Sequence, residues 1–525
     1  MTRTRFLAAA TIALALAGCG INPVTGKREI QFVSEAEELK LGETQYAPTR
    51  QSEGGDFTVL PELSAYVSEV GQKVAAVADR KLPYEFVVLN SSVPNAWALP
   101  GGKIAVNRGL LTELQNESEL AAVLGHEVVH AAARHGAQAQ ERATMMSAGM
   151  QIAQVAGAVG GVDANLSNLV LQGAGVGVQM TQMKYGRDAE LEADSYGIKY
   201  MKAAGYDPAG AVTLQETFVR LAGEGEKQKD WIEGLFASHP PSMERVQANR
   251  KSAAELGAGG KVGADSYGAH IRPLIDVKPA YDKYDAAMAA AGKGNFAEAK
   301  RLAGEAAKRV PQEGRFQQLL GEIALVEKKP EEAIGHYQKA IELNPGYFGS
   351  YLGGGVAQYH AGNQEKAQQW LVQSAKLLPT APAAYFLGNV ARDTGDTEGA
   401  RKLYAAAATS KSDVGQQAAA ELARLDTPDH PGRDLATAPR VSNDGRLAIL
   451  IENQGQSPVT DIRLTPMLVD ASGNVVRQAK AVDVGRTLKP GERAMVDAGV
   501  GAVSKQQLNA VRFRVDSARV IESGK

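Results

Sequence analysis

The sequence predicts an α+β multidomain protein, with a mainly helical domain first, an α-solenoid next and a C-terminal β-sandwich. Three observations lead there. His126 and His130 fall one helical turn apart within a single apolar-periodic stretch. Pro311, Pro345 and Pro379 recur at a step of 34 residues, the period of a two-helix repeat. From residue 430 onward, short β-branched runs alternate with Gly- and Pro-containing turns at sandwich spacing.

The chain has 525 residues, more than one hydrophobic core usually serves, since single cores stop growing near ~250–300 residues. The 57 basic and 59 acidic side chains leave a net charge of −2. That balance gives no reason to expect nucleic acid or a strongly acidic substrate as a partner. At the start, Arg3 and Arg5 precede an apolar run over residues 6–16 and then small residues, the layout of a targeting segment. The run is too short to span a bilayer comfortably. Leu16-Ala17-Gly18-Cys19 then resembles a bacterial lipobox, which implies a signal peptide at residues 1–18 and lipidation of Cys19. Acyl chains, at ~0.8 kcal/mol per buried CH₂, would anchor such a protein without a transmembrane helix. Gly20 stands where Asp would signal inner-membrane retention. The resemblance therefore implies the outer membrane, facing the periplasm, for a Gram-negative source. Cys19 is the single cysteine, so no internal disulfide is possible.

Asn22-Pro-Val-Thr-Gly-Lys27 reads as a turn-rich tether. Ser34 with Glu37 marks a capping box opening a helix over residues 34–46. Leu63, Val67, Val70, Val74 and Val77 share one face of a second helix over residues 60–78. Residues 84–90 read as a strand, and residues 103–107 as its partner after the Pro100-Gly-Gly turn.

The organising helix spans residues 116–136, with Asn116 as N-cap and Gly136 at the expected stop. Within it, His126-Glu127-Val-Val-His130 places two imidazoles on one face, able to reach one tetrahedral Zn²⁺. Glu127 is placed to take a proton from the attacking water. A catalytic zinc needs a third protein ligand, and Glu190 and Asp194, also four residues apart, present two carboxylates on one face of a downstream helix. One can bind metal while the other accepts the free N–H of a ligating histidine. Glu192 reads as part of a solvated face, and His135, a turn past His130, as a cation capping the helix end. Residues 145–161 and 166–180 are interrupted by Gln151, Gln154, Gln172 and Gln179 and read as core or cleft-covering helices, not membrane spans.

These motifs together resemble the HtpX/CAAX-protease class of zinc metallopeptidases. The shared features are the His-Glu-x-x-His stretch, the Glu190-Leu-Glu-Ala-Asp194 setting, the segment Asn95-Ala-Trp-Ala-Leu-Pro-Gly-Gly before the metal helix, and Ser238-His-Pro-Pro-Ser-Met-Glu-Arg245. The resemblance implies a mainly helical zincin-type domain over residues 19–255, holding one Zn²⁺. His126, His130 and Glu190 would be its ligands, Glu127 the general base and Asp194 a carboxylate behind them. It implies that Ala96, Trp97, Ala98 and Leu99 form an edge strand that holds extended substrate, although an ordinary hairpin lid fits those residues as well. His239 is implied near the metal, either as a removable fourth ligand that keeps the site latent or as an electrophilic aid. Packing against its loop is the plainer alternative.

Residues 256–280 read as a linker and residues 281–425 as four tetratricopeptide repeats. Gly321, Gly355 and Gly388 keep the same step, while Gly294, Gly362 and Gly395 mark the turns, with Lys328 once in the same slot. Such a solenoid presents a surface for peptides or protein partners. Residues 430–523 read as a small immunoglobulin-like β-sandwich with no chemistry of its own. Peptidase joined to these repeats resembles BepA-type proteins, which act in outer-membrane protein assembly and quality control. The expected function is thus a periplasm-facing, lipid-anchored zinc metalloendopeptidase acting on misassembled or misfolded envelope proteins. A chaperone or assembly scaffold with weak or latent peptidase activity is the alternative. A cell-wall hydrolase is supported only by the expected location.

Overall fold

Directly after its first strand the chain turns back on itself, because Asn22 accepts the N–H groups of Val24 and Thr25 at 2.9 and 3.2 Å through its side-chain oxygen. The computed structural model describes residues 19–139, 141, 185–223, 239–426, 430–455, 457–470 and 472–521. The targeting segment and the Gln-interrupted stretches 145–161 and 166–180 lie outside them. The described residues divide after Pro379 into two compact units.

In the first unit, β1 (Cys19–Ile21) and β2 (Arg28–Ile30) form the antiparallel hairpin around that turn. Helix α1 (Glu35–Ser52) opens with the expected Ser34–Glu37 capping box. Helix α2 (Pro61–Ala75) buries Leu63, Val67, Val70 and Val74. It ends two residues before Val77, which is 36% exposed instead of sharing that face. A three-stranded sheet follows, built from β3 (Glu85–Leu89), β4 (Ala96–Leu99) and β5 (Lys103–Asn107). Its order is β3-β5-β4, with β3 parallel and β4 antiparallel to the central β5. Residues 96–99 are therefore an edge strand, although all four side chains are buried.

The short α3 (Arg108–Leu111) leads to α4 (Glu117–Ala132), in which every residue is buried. Asn116 caps it, accepting the Glu119 N–H at 2.9 Å. The helix stops earlier than the sequence suggests. Ala133 is its C-cap, and Arg134 takes the left-handed turn (φ 64°) expected near Gly136. Tertiary bonds hold Arg134 in that conformation: its Nε donates to Glu38 at 2.7 Å, and its guanidinium also reaches Gln31. Helices α5 (Arg187–Ala203) and α6 (Ala209–Gly223) pack against α4, and α7 (Met243–Leu256) packs on both of them.

The expected linker at 256–280 is mostly helix instead. Only the Gly-rich residues 257–263 connect, and α8 (Ala264–Gly292) runs through Pro273 and Pro279. Buried Tyr267, Ile271, Leu274, Ala280 and Tyr281 hold it on the first domain's core, and that burial offsets the prolines' cost of ~3 kcal/mol each in a helix interior. Its last turns pack with α9 (Phe296–Arg309) through Ala287, Ala299 and Ala303. Helix pairs then continue as α10 (Gly314–Val326) with α11 (Pro330–Leu343), and α12 (Phe348–His360) with α13 (Gln364–Leu377).

The second unit begins with α14 (Ala381–Asp393), α15 (Thr397–Ala407) and α16 (Asp413–Asp426), packed around Ala384, Ala400, Tyr404 and Ala418. Strand β6 (Leu435–Val441), missed in the sequence, pairs with β7 (Arg446–Asn453). Strands β8 (Val459–Val469), β9 (Val475–Gln478), β10 (Val482–Asp483) and β11 (Arg493–Ala502) follow. A short α17 (Lys505–Asn509) and β12 (Val511–Val520) complete the unit. One sheet has the order β11-β7-β6, the other β10-β8-β12 with β9 also on β8. Leu447, Ile449 and Ile451 from one sheet share an apolar cluster with Ile462, Leu464 and Val520 from the other.

Candidate metal centre

The site forms where α4 and α5 cross. Gly125 and Gly197 let the two backbones touch: a Cβ on Gly197 would lie 2.9 Å from the His126 nitrogen, and one on Gly125 2.9 Å from the Gly197 oxygen. Side chains on either would hold the helices apart. This close approach brings His126 and His130 of α4 opposite Glu190 and Asp194 of α5. The loop before α7 adds His239, and α7 itself adds Arg245.

His126 Nε2 lies 3.0 Å from His130 Nε2, 3.3 Å from His239 Nδ1 and 3.5 Å from Glu190 Oε2. Glu190 Oε1 is 3.4 Å from His130 Nε2 and 3.1 Å from His239 Nδ1. Ligand atoms of His126, His130, Glu190 and His239 all lie within 4.8 Å of one another, and all four side chains are buried. Three imidazole nitrogens and one carboxylate oxygen are the donor types that suit zinc. Glu127, one residue from the first histidine, places Oε1 3.6 Å from His239 Nε2. Its Oε2 and the His239 Nε2 are buried without a hydrogen-bond partner. Two orphaned polar atoms facing such a cluster fit a site that receives further polar atoms.

The electrostatics favour a cation. At His126, burial opposes a positive charge, but hydrogen bonds to Asp194 and Glu190 and their negative charges prevail and push the imidazole up to about 10. Burial pushes His130 the other way, well below the ordinary imidazole range. Burial also raises the Glu127 carboxyl, as a general base working near neutral pH requires. Glu190 and Asp194 resist burial because positive groups face them, and both are held below the usual carboxylate range. Arg245 Nε and Nη2 clasp Asp194 at 2.6 and 2.7 Å, and Nη1 reaches Glu190 at 2.9 Å. Asp194 in turn accepts from His126 Nδ1 at 3.0 Å.

All the residues singled out around the His-Glu-x-x-His stretch thus come together. Ala96, on edge strand β4, lines one cavity with His126, Glu127 and His239, and Leu110, Val123, Leu214 and Phe218 supply its apolar wall. Trp97 and Leu99 instead pack with Tyr46, and Ala98 offers its carbonyl to the Tyr185 hydroxyl at 3.4 Å. Cys19 lies in β1, paired with Ile30.

Two expectations are corrected. His135 does not cap the helix end: it is 3% exposed, and its Nδ1 lies 2.9 Å from His130 Nδ1. Glu192 is not a free surface acid, because it sits 3.2 Å from His135 Nε2 and 3.0 Å from the Asn22 amide. The two Glu192 contacts join residues far apart in the chain. Gly125 and Gly197 also carried no signal beyond their residue type. Arg245 was legible only as the end of the His239 segment.

A model of the family described as "Peptidase family M48" matches residues 61–253, and one described as "Tetratricopeptide repeat" matches residues 284–348. The chain is 34% identical over 230 residues to the mitochondrial metalloendopeptidase OMA1 of Schizosaccharomyces pombe, covering 43% of this chain and 64% of that one. It is 34% identical over 190 residues to a putative beta-barrel assembly-enhancing protease of Vibrio cholerae, covering 35% and 36%. To the metalloprotease YcaL of Escherichia coli it is 31% identical over 193 residues, covering 35% of this chain and 71% of that protein. The chain thus spans between about a third and two thirds of the length of the first two relatives.

Proposed function

This chain belongs to peptidase family M48, and from that premise we propose that it is a zinc metalloendopeptidase acting on misassembled or misfolded envelope proteins. The observation that carries the reading is the group of four buried donors within 4.8 Å beside the Glu127 carboxylate. His126, His130 and Glu190 would hold the zinc, with His239 as a removable fourth donor. Zinc, when bound, supplies Lewis acidity at the scissile carbonyl and lowers the pKa of water toward ~7. Glu127 takes the proton of the attacking water and returns it to the leaving amine. Asp194, clasped by Arg245, keeps the His126 ring oriented. The edge strand β4 offers backbone partners to an extended substrate, and the apolar wall beside His126 receives one of its side chains.

The helix pairs supply the partner- or substrate-binding surface. Lipidation at Cys19 and a place on the periplasmic face of the outer membrane belong to the same proposal, supported by the lipobox-like start. Among the described residues no helix is long and apolar enough to cross a membrane. The immunoglobulin-like sandwich is likewise proposed, on the apolar cluster shared by the two C-terminal sheets.

Zinc content and casein cleavage of the purified full chain, beside Glu127→Gln and His239→Ala, test this reading. Glu127→Gln should keep zinc and lose cleavage by about 10²–10⁴-fold, while a gain in His239→Ala would mark His239 as the latch. Full function of Glu127→Gln in cells, with cleavage lost, would favour the scaffold alternative.

A further inference from the structure

The two histidines of α4 are held in different ways. His126 turns Nδ1 directly to the Asp194 carboxylate. His130 turns Nδ1 to another imidazole, Nδ1 of His135, at 2.9 Å. The opposite nitrogen of His130 faces Glu190 at 3.4 Å and is its donor atom. A neutral imidazole that gives up Nε2 carries its proton on Nδ1, so His130 donates and His135 Nδ1 accepts. His135 therefore keeps its own proton on Nε2, 3.2 Å from Glu192 Oε1. The same carboxylate oxygen accepts from Asn22 Nδ2 at 3.0 Å, and the second amide hydrogen goes to Glu29 Oε1 at 3.0 Å.

Each link of this chain is fixed from outside. Asn22 is 1% exposed, and its oxygen is committed to the hairpin turn. That commitment leaves only its Nδ2 to reach across 170 residues to Glu192. The Tyr185 ring stacks on His130 at 3.9 Å, which sets the plane of the imidazole.

We infer that His135 and Glu192 are positioning residues for the His130 ligand, and that the N-terminal hairpin completes the metal centre through Asn22. The inference rests on the zinc reading above. A carboxylate at the far end of two imidazoles draws both N–H bonds toward it, which makes His130 Nε2 a stronger donor and restrains its ring from turning. The hairpin that begins at Cys19 is then part of the metal centre as well as a tether.

Zinc release from the full chain to a chromophoric chelator tests this, with wild type, Glu192→Ala, Glu192→Gln and Asn22→Asp compared. Glu192→Ala should hold zinc about 10- to 100-fold more weakly. Glu192→Gln should recover part of the loss, because its amide oxygen still accepts from His135. Asn22→Asp keeps the oxygen that forms the turn but sets a second carboxylate against Glu192. It should also weaken zinc, by more than the lowered melting of the zinc-free chain, caused by a buried charge beside Glu29 and Glu192, accounts for. Zinc retention equal to wild type in both Glu192→Ala and Asn22→Asp would overturn the inference and leave the zinc reading standing. If Glu192→Ala does not fold, Glu192→Gln and Asn22→Asp decide. A wild-type chain that holds no zinc would overturn both readings.

Discussion

Glu117, the first residue of α4, has no part in the chemistry, yet it anchors the metal helix. It is 1% exposed and accepts from Tyr66 at 3.1 Å, Tyr206 at 3.0 Å, Lys261 at 2.6 Å and Ser266 at 2.9 Å. Burial disfavours its charge, but these four donors outweigh that and hold its carboxyl below the usual carboxylate range. A carboxyl whose folded pKa is depressed contributes stability that is present above the unfolded pKa and lost as pH falls through the folded one. Glu117→Gln should therefore cost about 2 kcal/mol near neutral pH, with the gap to wild type closing as pH falls below 4.5. Urea midpoints of the two proteins at pH 7 and in acid measure it, and a gap that persists in acid would refute the assignment. Gly197 makes the steric counterpart. A methyl there would press on backbone at 2.9 Å, where no side chain can yield. Gly197→Ala is expected to destabilise the chain by about 1–3 kcal/mol and to empty the metal site. An unchanged urea midpoint with stoichiometric zinc would show that the helices do not need this contact.

At the scale of elements, the parts that were legible are those whose signal is local. The Asn116 cap, the Ser34–Glu37 box and the paired histidines each express chemistry at a fixed short spacing, and each forms as read. What escaped depends on tertiary partners. Residues 256–280 read as a linker, yet α8 runs through Pro273 and Pro279 because Tyr267, Leu274 and Tyr281 are buried against the first domain. His135 reads as a helix-end cap and Glu192 as a solvated acid because nothing in either neighbourhood announces a partner 57 positions away. The repeats were legible through their period, and the turn slots show why. Gly294, Gly362 and Gly395 adopt φ of 76°, 80° and 88°. Lys328 holds the same slot at φ 59°, where a side chain costs roughly 1–2 kcal/mol. Lys328→Gly should accordingly stabilise the α10–α11 pair by about 1 kcal/mol, read as a rise in the urea midpoint at unchanged m-value. A fall would mean that the lysine side chain contributes more than the backbone strain it imposes.

For the molecule as a whole, the division after Pro379 carries a thermodynamic consequence. The metal donors sit among the buried residues of the first unit, whereas the C-terminal strands close around a separate cluster that includes Ile449, Leu464 and Val520. A ligand stabilises the fold that binds it by RT ln(1 + [L]/Kd), about 2.7 kcal/mol at 100 times Kd. Zinc binds no residue of the second unit in this reading, so it should raise the melting of the first unit and leave that of the second where it was. Differential scanning calorimetry of the full chain with zinc and with a chelator makes the comparison. Two transitions, of which one moves with zinc, are expected. Zinc-dependent shifts of equal size in both would mean that the units unfold as one cooperative body, and the metal centre would then be stabilising the C-terminal sheets as well as the helices that hold it.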